Sequence, residues 1–509
     1  MESSATKKLD LRFRASIRIE KLKPRREKKN DNRTHSYWIN NYNDDTIIAT
    51  TTAANTTTMT IIITTTTISA TTIITITTTT ATTIIIINCP CNFYMPNEYG
   101  EIDEKCNVQS RYSLNRYIFY DVNPPEGFNL RRDVYIRVAV FMRNLIKQNN
   151  KFIWKLVLPP WGILYHWQSK RVGSQTQLPW NTFFDIGSLQ KYVPVIEMFQ
   201  FLREYPSNNK RTQIDMVYIL QNDEEMFKTG KFEDKNEIVE CTDESLRYTK
   251  LEPKKYKGYF WGYRNVTSGA VKCIKFHGTI SDLRRNLQPE IYRSVMFDRI
   301  EIALHDFYGS QEYWRARRSM RYNSELYNIA AKYRKDFLNS TNEGDNTKRP
   351  NDWTKEKNRR SAVGGPYLSV HLRRQDFLVG HSSTVPTIKS AASQLRRKMD
   401  ELGLKLLFVA TDATEEEFEE LKKYMLDRTT LRFIPSDYVL NKFKDGGVAI
   451  IDQIICSYAR YFLGTYESTF TFRIQEDREI IGFPTKTTFN VLCKDDKKCD
   501  SNGQWKIVW

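Results

Sequence analysis

The sequence predicts an α/β protein, and three observations point there. From residue 117 onward, short apolar runs of strand length alternate with amphipathic helical stretches. Several of those runs are apolar on both faces, as strands of a parallel sheet covered by helices on either side must be. Helix-start and helix-stop residues fall between them: the capping box Thr414-Glu-Glu-Glu417 opens one helix and Gly403 ends another. A chain of 509 residues with 13% aromatics has the length and apolar bulk for two such units with a cleft between them.

Taken in order, Tyr117–Val122 is a strand stopped by Asn123-Pro-Pro. Asn129 is placed to cap the next helix, whose Leu130, Val134, Val138, Phe141, Met142 and Leu145 share a face. Trp154–Leu158 is a second strand, stopped by Pro159-Pro160. Residues 190–337 are mixed and rich in aromatics. The polar stretch 338–360 is the candidate boundary or surface loop, separating a unit at 111–355 from one at 356–509. The second unit is cleaner: strand Tyr367–Arg373, helix Lys389–Leu402, strand Leu404–Ala410, the helix opened by Thr414, strand Leu431–Pro435, helix Gly447–Ala459 and strand Arg460–Thr465. Ser468 then caps a helix containing Thr469–Glu479.

Residues 1–110 stand apart and are expected to lie outside this fold. The first 45 carry twelve basic and seven acidic groups, with no apolar signal-peptide core. Thr46–Ile87 is then 21 Thr, 13 Ile and eight other uncharged residues. Such low complexity gives a core nothing to interdigitate. An O-glycosylated or disordered linker, a signal anchor over Ile68–Ile87 and a translated repeat at a mis-joined gene start all fit, so membrane attachment stays open.

The net charge of +17 suits an anionic small ligand as well as nucleic acid, and by itself chooses neither. Eight Cys occur, none spaced C-x-x-C, and the six His form no zinc pattern with them. Cys493 and Cys499 close a short loop that a disulfide would clamp, and Cys241 and Cys273 bracket a Trp-rich segment and could pair. Cys456, in an apolar run, reads as a buried free thiol. With sequons at Asn32, Asn55, Asn265 and Asn339, the secretory pathway is favoured over the cytosol.

In open α/β sheets a ligand sits beyond the carboxyl ends of the strands, and three segments end there with chemistry. Pro124-Pro125-Glu126-Gly127-Phe128-Asn129 holds one carboxylate in a stiff strand-to-helix loop, where Glu126 is either a general base or an ordinary loop acid near a helix end. His371-Leu372-Arg373-Arg374-Gln-Asp376 ends a strand with His371 and Arg373 on one face. Arg373 is then a fork for phosphate oxygens, or merely one half of a surface pair with Asp376. Gly464-Thr-Tyr-Glu-Ser468-Thr469-Phe470 opens a helix whose free N–H groups form an anion site, the bland alternative being a plain Ser cap. No Walker or dinucleotide fingerprint is present. A fourth segment, Asp445–Gln453, buries Asp452 in an apolar helix, where the carboxyl needs a donor from a neighbour or a ligand.

Asn123–Asp133, Leu158-Pro-Pro-Trp-Gly162 with Tyr165-His-Trp167, His371–Arg374, Asp445–Gln453 and Ser468–Phe470 together resemble the GDP-fucose protein O-fucosyltransferases. The resemblance runs from about 111 to 509, closest to the branch that modifies thrombospondin type 1 repeats. It implies a GT-B-like fold of two Rossmann-like domains facing a cleft, with the catalytic base in 111–355 and GDP-fucose bound by 356–509. It further implies inverting transfer of fucose from GDP-β-L-fucose to Ser/Thr of folded thrombospondin repeats in the endoplasmic reticulum. Glu126 matches the catalytic base. Pro125, Glu126, Gly127, Phe128, Asn129, His371, Leu372, Arg373, Asp452, Ser468, Thr469 and Phe470 match the donor-binding positions. Cys241–Cys273 and Cys493–Cys499 match the family's disulfides. Residues 1–110 have no counterpart in it.

Chemically, Arg373 and the Thr469/Phe470 amides are expected to stabilise the departing diphosphate while Glu126 takes the acceptor proton. No D-x-D pair occurs in the chain, so no cofactor and no essential metal are expected. The partners expected are GDP-fucose and folded acceptor repeats, not nucleic acid. Two other readings fit less well: a transferase for epidermal-growth-factor-like repeats, and an inactive basic polyanion-binding protein on the same fold.

Overall fold

The computed structural model describes the strands at 36–41, 46–52, 58–68, 71–77 and 82–87, and residues 114–148, 151–162, 164–170, 172–205, 211–231, 233–242, 247–495 and 503–509. Two compact units divide at Ser110. In the first, the five strands form an antiparallel meander in sequence order, in keeping with the β preference of Thr and Ile.

The second unit, Arg111–Trp509, contains two sheets. Its strands are β1 Asn115–Tyr120, β2 Ile153–Leu158, β3 Val195–Glu197, β4 Thr212–Gln221, β5 Lys235–Val239, β6 Thr249–Glu252, β7 Lys255–Lys257, β8 Val266–His277, β9 Ser294–Asp298, β10 Gly365–Leu372, β11 Leu406–Thr411, β12 Thr429–Leu431 and β13 Ala459–Leu463. The larger sheet runs β6-β7-β8-β4-β9-β1-β2-β3, with β5 also on β8. Its body from β8 to β3 is parallel, and β5, β6 and β7 add an antiparallel edge. The smaller sheet, β12-β11-β10-β13, is wholly parallel. The expected α/β class is therefore the observed one.

Both faces of each sheet are covered. Along β1, Ile118 and Tyr120 enter one apolar cluster while Tyr117 and Phe119 enter another. That two-sided burial is why the strand reads as unbroken apolar sequence. The disulfide Cys241–Cys273, with Cα atoms 5.1 Å apart, fastens the end of β5 to β8. Cys493 is also disulfide-bonded, and its expected partner Cys499 lies outside the described residues. Cys456 is a buried free thiol, as expected.

Helices α1 Phe128–Gln148, α2 Gln311–Ser319, α3 Ser324–Leu338, α4 Ile388–Leu402, α5 Glu415–Met425, α6 Asp437–Ser457 and α7 Thr469–Ile481 fill the layers between and around the sheets. Three local expectations need correction. Helix α1 begins at Phe128, so Asn129 is its second residue and not its cap. Helix α6 starts ten residues before Gly447, with a break at Lys444 (φ 55°) that the glycine pair after it conceals from periodicity. Strand β12 lies two residues before the expected Leu431 start. The 338–360 stretch is irregular and mostly exposed, as expected of a surface loop, and is anchored by buried Ser340, Thr347 and Trp353, whose Nε1 donates to the Ser188 carbonyl at 3.1 Å.

Between the sheets runs a buried polar network. Arg132 of α1 donates to Gln453 of α6 (2.6 Å) and to Tyr322 (2.6 Å). The Tyr322 hydroxyl donates to Asp477 of α7 (3.0 Å), which also accepts from Arg317 of α2 (2.7 Å). Arg317 reaches Glu476 as well (2.6 Å), and Arg473 joins Glu476 at 3.1 Å. Breaking one partner of such a set strands a buried charge, at a cost of about 3–5 kcal/mol. Arg317→Met should therefore lower the unfolding midpoint in urea sharply, whereas Lys151→Met, which removes an exposed pair with Glu290, should leave it within error.

Candidate active site

Strand β1 ends at Tyr120 and α1 begins at Phe128, so residues 121–127 make the turn that presents Glu126. Two prolines stiffen it, and the Glu126 amide donates to the Asn123 carbonyl at 3.0 Å. Arg131, one turn into α1, wraps the loop from beneath. Its Nε donates to the Glu126 carbonyl (2.9 Å), Nη2 to those of Asn123 (3.0 Å) and Pro124 (3.4 Å), and Nη1 to Asp121 (3.3 Å). Asp121 is held in turn by Arg247 (3.1 Å), which also grips Asp298 at the end of β9 (2.9 Å). The Glu126 carboxylate takes no part in these contacts and stays half-buried at the surface of the loop.

Behind the loop, a Glu301 carboxylate oxygen accepts from the Asn123 amide at 3.3 Å. Burial, with Asp298 and Glu126 adding repulsion, pushes the Glu301 carboxyl up to about 7. Burial next to Asp121 likewise pushes Asp298 up to about 6. Between an unfolded value near 4.5 and about 7, the folded chain holds a proton on Glu301 that the unfolded chain has lost. Stability is thus fullest below that window and falls as pH rises through it. The melting temperature of wild type should drop between pH 5 and pH 8 by more than that of Glu301→Gln, and equal drops would contradict the assignment.

In the second sheet, chemistry again collects at strand ends. Strand β10 finishes at Leu372, and Arg373 follows. The Arg373 guanidinium meets Asp376 at 2.5 Å and Asp412, just past β11, at 2.6 Å. Its backbone amide donates to Thr465 Oγ1 at 2.9 Å. The pairing with Asp376 foreseen as the bland alternative is present, and a second carboxylate joins it. Buried Leu372 offers only backbone: its carbonyl accepts from the Thr411 hydroxyl at 2.6 Å.

Buried His371 stacks on Phe470, with ring centroids 4.3 Å apart, and its Nδ1 meets Thr471 Oγ1 at 2.9 Å. Burial, helped by Arg373, holds its imidazole well below the ordinary range, so the ring is neutral at physiological pH. Ser468 is the N-cap of α7, yet its side chain makes no capping bond, which corrects the simple cap reading. A Cβ on Gly464 would collide with Thr471, so only glycine lets that turn bring the helix N-terminus this close. Asp452 lies in α6 with one carboxylate oxygen buried and without a partner among the described residues. Burial raises its carboxyl well above the usual carboxylate range.

One side chain joins the two halves of the site. The Arg373 Nη2 donates to His166 Nδ1 at 3.3 Å, which fixes that nitrogen as the acceptor and leaves the proton on Nε2. Burial and the neighbouring guanidinium lower the His166 pKa, consistent with a neutral ring. The same ring lies 3.6 Å from where a Gly127 Cβ would stand. Deeper in, Asn129 Oδ1 accepts from Gln453, the residue after Asp452, at 2.8 Å. Glu126, Gly127, Asn129, Arg373 and the Asp452 segment are thus gathered around one cleft.

Phe128 differs: its ring sits in a cluster with Trp161, Trp167 and Phe183, so only its backbone faces the loop. Three contributors were not singled out by spacing. His166 lies in irregular chain where no periodicity marks it. Asp412 had a signal, its place directly after a parallel strand. Arg131 looked like one more polar position on α1.

A family model, GDP-fucose protein O-fucosyltransferase, matches residues 117–481. The chain is 47% identical over 403 residues to a human protein named GDP-fucose protein O-fucosyltransferase 2, covering 78% of this chain and 91% of that one. It is 44% identical over 411 residues to the protein of that name from Caenorhabditis elegans, covering 79% and 92%. A crystal structure of POFUT1 in complex with GDP aligns at a TM-score of 0.46 and 18% identity, over 74% of this chain and 98% of that one.

Proposed function

Since the chain belongs to the GDP-fucose protein O-fucosyltransferase family and is a fucosyltransferase that uses GDP-fucose as donor, we propose that its acceptors are Ser/Thr hydroxyls of folded thrombospondin type 1 repeats. The observation that carries the mechanism is the contact chain Gly127–His166–Arg373, which sets the Glu126 loop across a cleft from the phosphate-binding candidates.

In the proposed reaction the acceptor oxygen attacks the fucose anomeric carbon from the face opposite the diphosphate. The new C–O bond forms as the C–O bond to the β-phosphate breaks, and configuration inverts. Glu126 accepts the hydroxyl proton. The charge arriving on the phosphate meets Arg373, already held in place by Asp376 and Asp412, and the first amides of α7 at Thr469 and Phe470. Neutral His371, packed face-on against Phe470, walls the donor site, and Asp452 offers its unpartnered oxygen to the nucleoside. Pro125, Gly127 and the backbones of Phe128 and Leu372 complete the surface.

Among the described residues no three His, Cys, Asp or Glu side chains converge as metal ligands would. Transfer is proposed to proceed without an essential divalent ion, so activity in excess EDTA should stay within twofold of the untreated enzyme. Location in the endoplasmic reticulum lumen is proposed on the oxidised Cys241–Cys273 pair and the disulfide at Cys493. Among the described residues no helix is long and apolar enough to cross a membrane.

The acceptor reading is tested by presenting folded thrombospondin and epidermal-growth-factor-like repeats with GDP-fucose in parallel. Transfer to the first alone supports it, and transfer to the second alone overturns it.

A further inference from the structure

Beside Pro124 a cavity of about 370 Å³ opens between the ends of β1 and β2. Its walls are mostly apolar and include Trp161, Trp180, Tyr259 and Trp261, with the Trp161 and Trp180 rings packed together at 4.8 Å. At one end lie Asp121, Arg131 and Arg247, whose charges are spent on each other and on Asp298. We propose that this cavity is an acceptor subsite that receives an apolar side chain flanking the hydroxyl to be fucosylated. The inference rests on the acceptor being a protein, as the family reading has it.

Three features lead there. None of its lining residues is a donor candidate: Pro125–Asn129 and the candidates at 371–470 are all absent from its walls. Pro124 is both a wall of the cavity and two residues from Glu126, which puts the cavity within about 7 Å of chain from the candidate base. In an extended acceptor segment, the side chains one or two residues from the reacting hydroxyl fall in that range. Finally, aromatic and proline walls whose charged neighbours are already paired offer nothing to a phosphate and a broad surface to an apolar side chain.

The mouth is open and its shape is held. Pro124, Thr176, Gln177 and Tyr259 are exposed around it. Gln177 Nε2 donates to the Trp261 carbonyl at 3.1 Å, and both residues keep a left-handed φ of 53°. Non-glycine residues held there cost free energy that the surroundings must supply, a pattern found at binding sites. The loop that carries Glu126 is itself one wall, so the acceptor segment that fills the cavity is positioned against the base.

Two exposed positions allow a test that spares the core. Thr176→Trp should block the mouth and Tyr259→Ala should remove a wall. Each is expected to raise the KM for the folded acceptor repeat at least tenfold, with the Kd for GDP within twofold of wild type. Replacing the apolar residue nearest the acceptor hydroxyl with Ala should raise the wild-type KM comparably and add little in Thr176→Trp. Unchanged acceptor KM in both enzyme variants overturns the subsite, as does a parallel loss of GDP affinity. The repeat used is whichever class wild type fucosylates, so a wrong choice of repeat shows in wild type and a wrong subsite shows only in the variants. A wild type that modifies neither class overturns both.

Discussion

Glu126→Gln is expected to bind GDP-fucose as wild type does and to transfer fucose at least a hundredfold more slowly. The amide keeps the size of the side chain and cannot take the acceptor proton, and general-base catalysis contributes about 10²–10⁴-fold. Two features make the substitution clean. The carboxylate takes no part in the bonds that shape its loop, which run instead from Arg131 to backbone carbonyls. The prolines at 124 and 125 hold the turn whatever side chain follows them. The measurement is single-turnover transfer with saturating donor, beside a GDP binding isotherm. Turnover within tenfold of wild type would remove Glu126 from the chemistry, and a collapse of GDP binding would make it a structural residue.

Arg373→Ala is expected to raise the barrier by about 2–4 kcal/mol, the magnitude seen when a preorganised donor to developing negative charge is lost. This is a drop of roughly 30- to 900-fold in turnover. The guanidinium touches Asp376, Asp412 and His166, so its removal leaves two carboxylates facing the donor site. Part of the loss will therefore be repulsion of the diphosphate, visible as weaker GDP binding. Asp376→Asn separates the two contributions, because it thins the negative charge while leaving Arg373 in place. If Arg373 acts on the transition state, Asp376→Asn should alter donor KM more than kcat, and Arg373→Ala should do the reverse. A loss in Arg373→Ala confined to donor KM would contradict the role.

The second sheet was the more legible part of the sequence, for a local reason. Its elements are short and regular, and their caps are sequence-near: Thr414 and Gly403 sit where their chemistry says helices begin and end. Errors arose where contacts distant in sequence decide. Asn129 looks like a cap until Arg132 and Gln453, the latter over 300 residues away, claim its side chain. The stretch 338–360 is the exposed, irregular segment its polar sequence suggests, but the Ser188 carbonyl that anchors Trp353 within it is invisible to local pattern. Helix α6 was foreshortened by Gly446-Gly447, yet Gly446 is there for packing: a Cβ would stand 2.7 Å from the Trp167 ring.

At the site, residues announced by their place after a strand were readable, and those recruited from irregular chain were not. Glu126, Arg373 and Ser468–Phe470 follow strand ends, and the topology brings such ends together by rule. His166 follows no strand, and only the fold shows that it reaches Arg373.

The buried network of Arg132, Arg317, Arg473 and their partners bears on how the enzyme moves. In a protein whose two lobes swing on a hinge, the seam must be wet or slippery enough to re-form at each angle. Here it is buried, and Arg132 and Arg317 each hold two guanidinium nitrogens within 2.7 Å of their acceptors. A few degrees of rotation would strip several of those bonds at once. Admission of donor and departure of GDP then fall to surface loops over a fixed gap, and heat should melt both sheets in one transition.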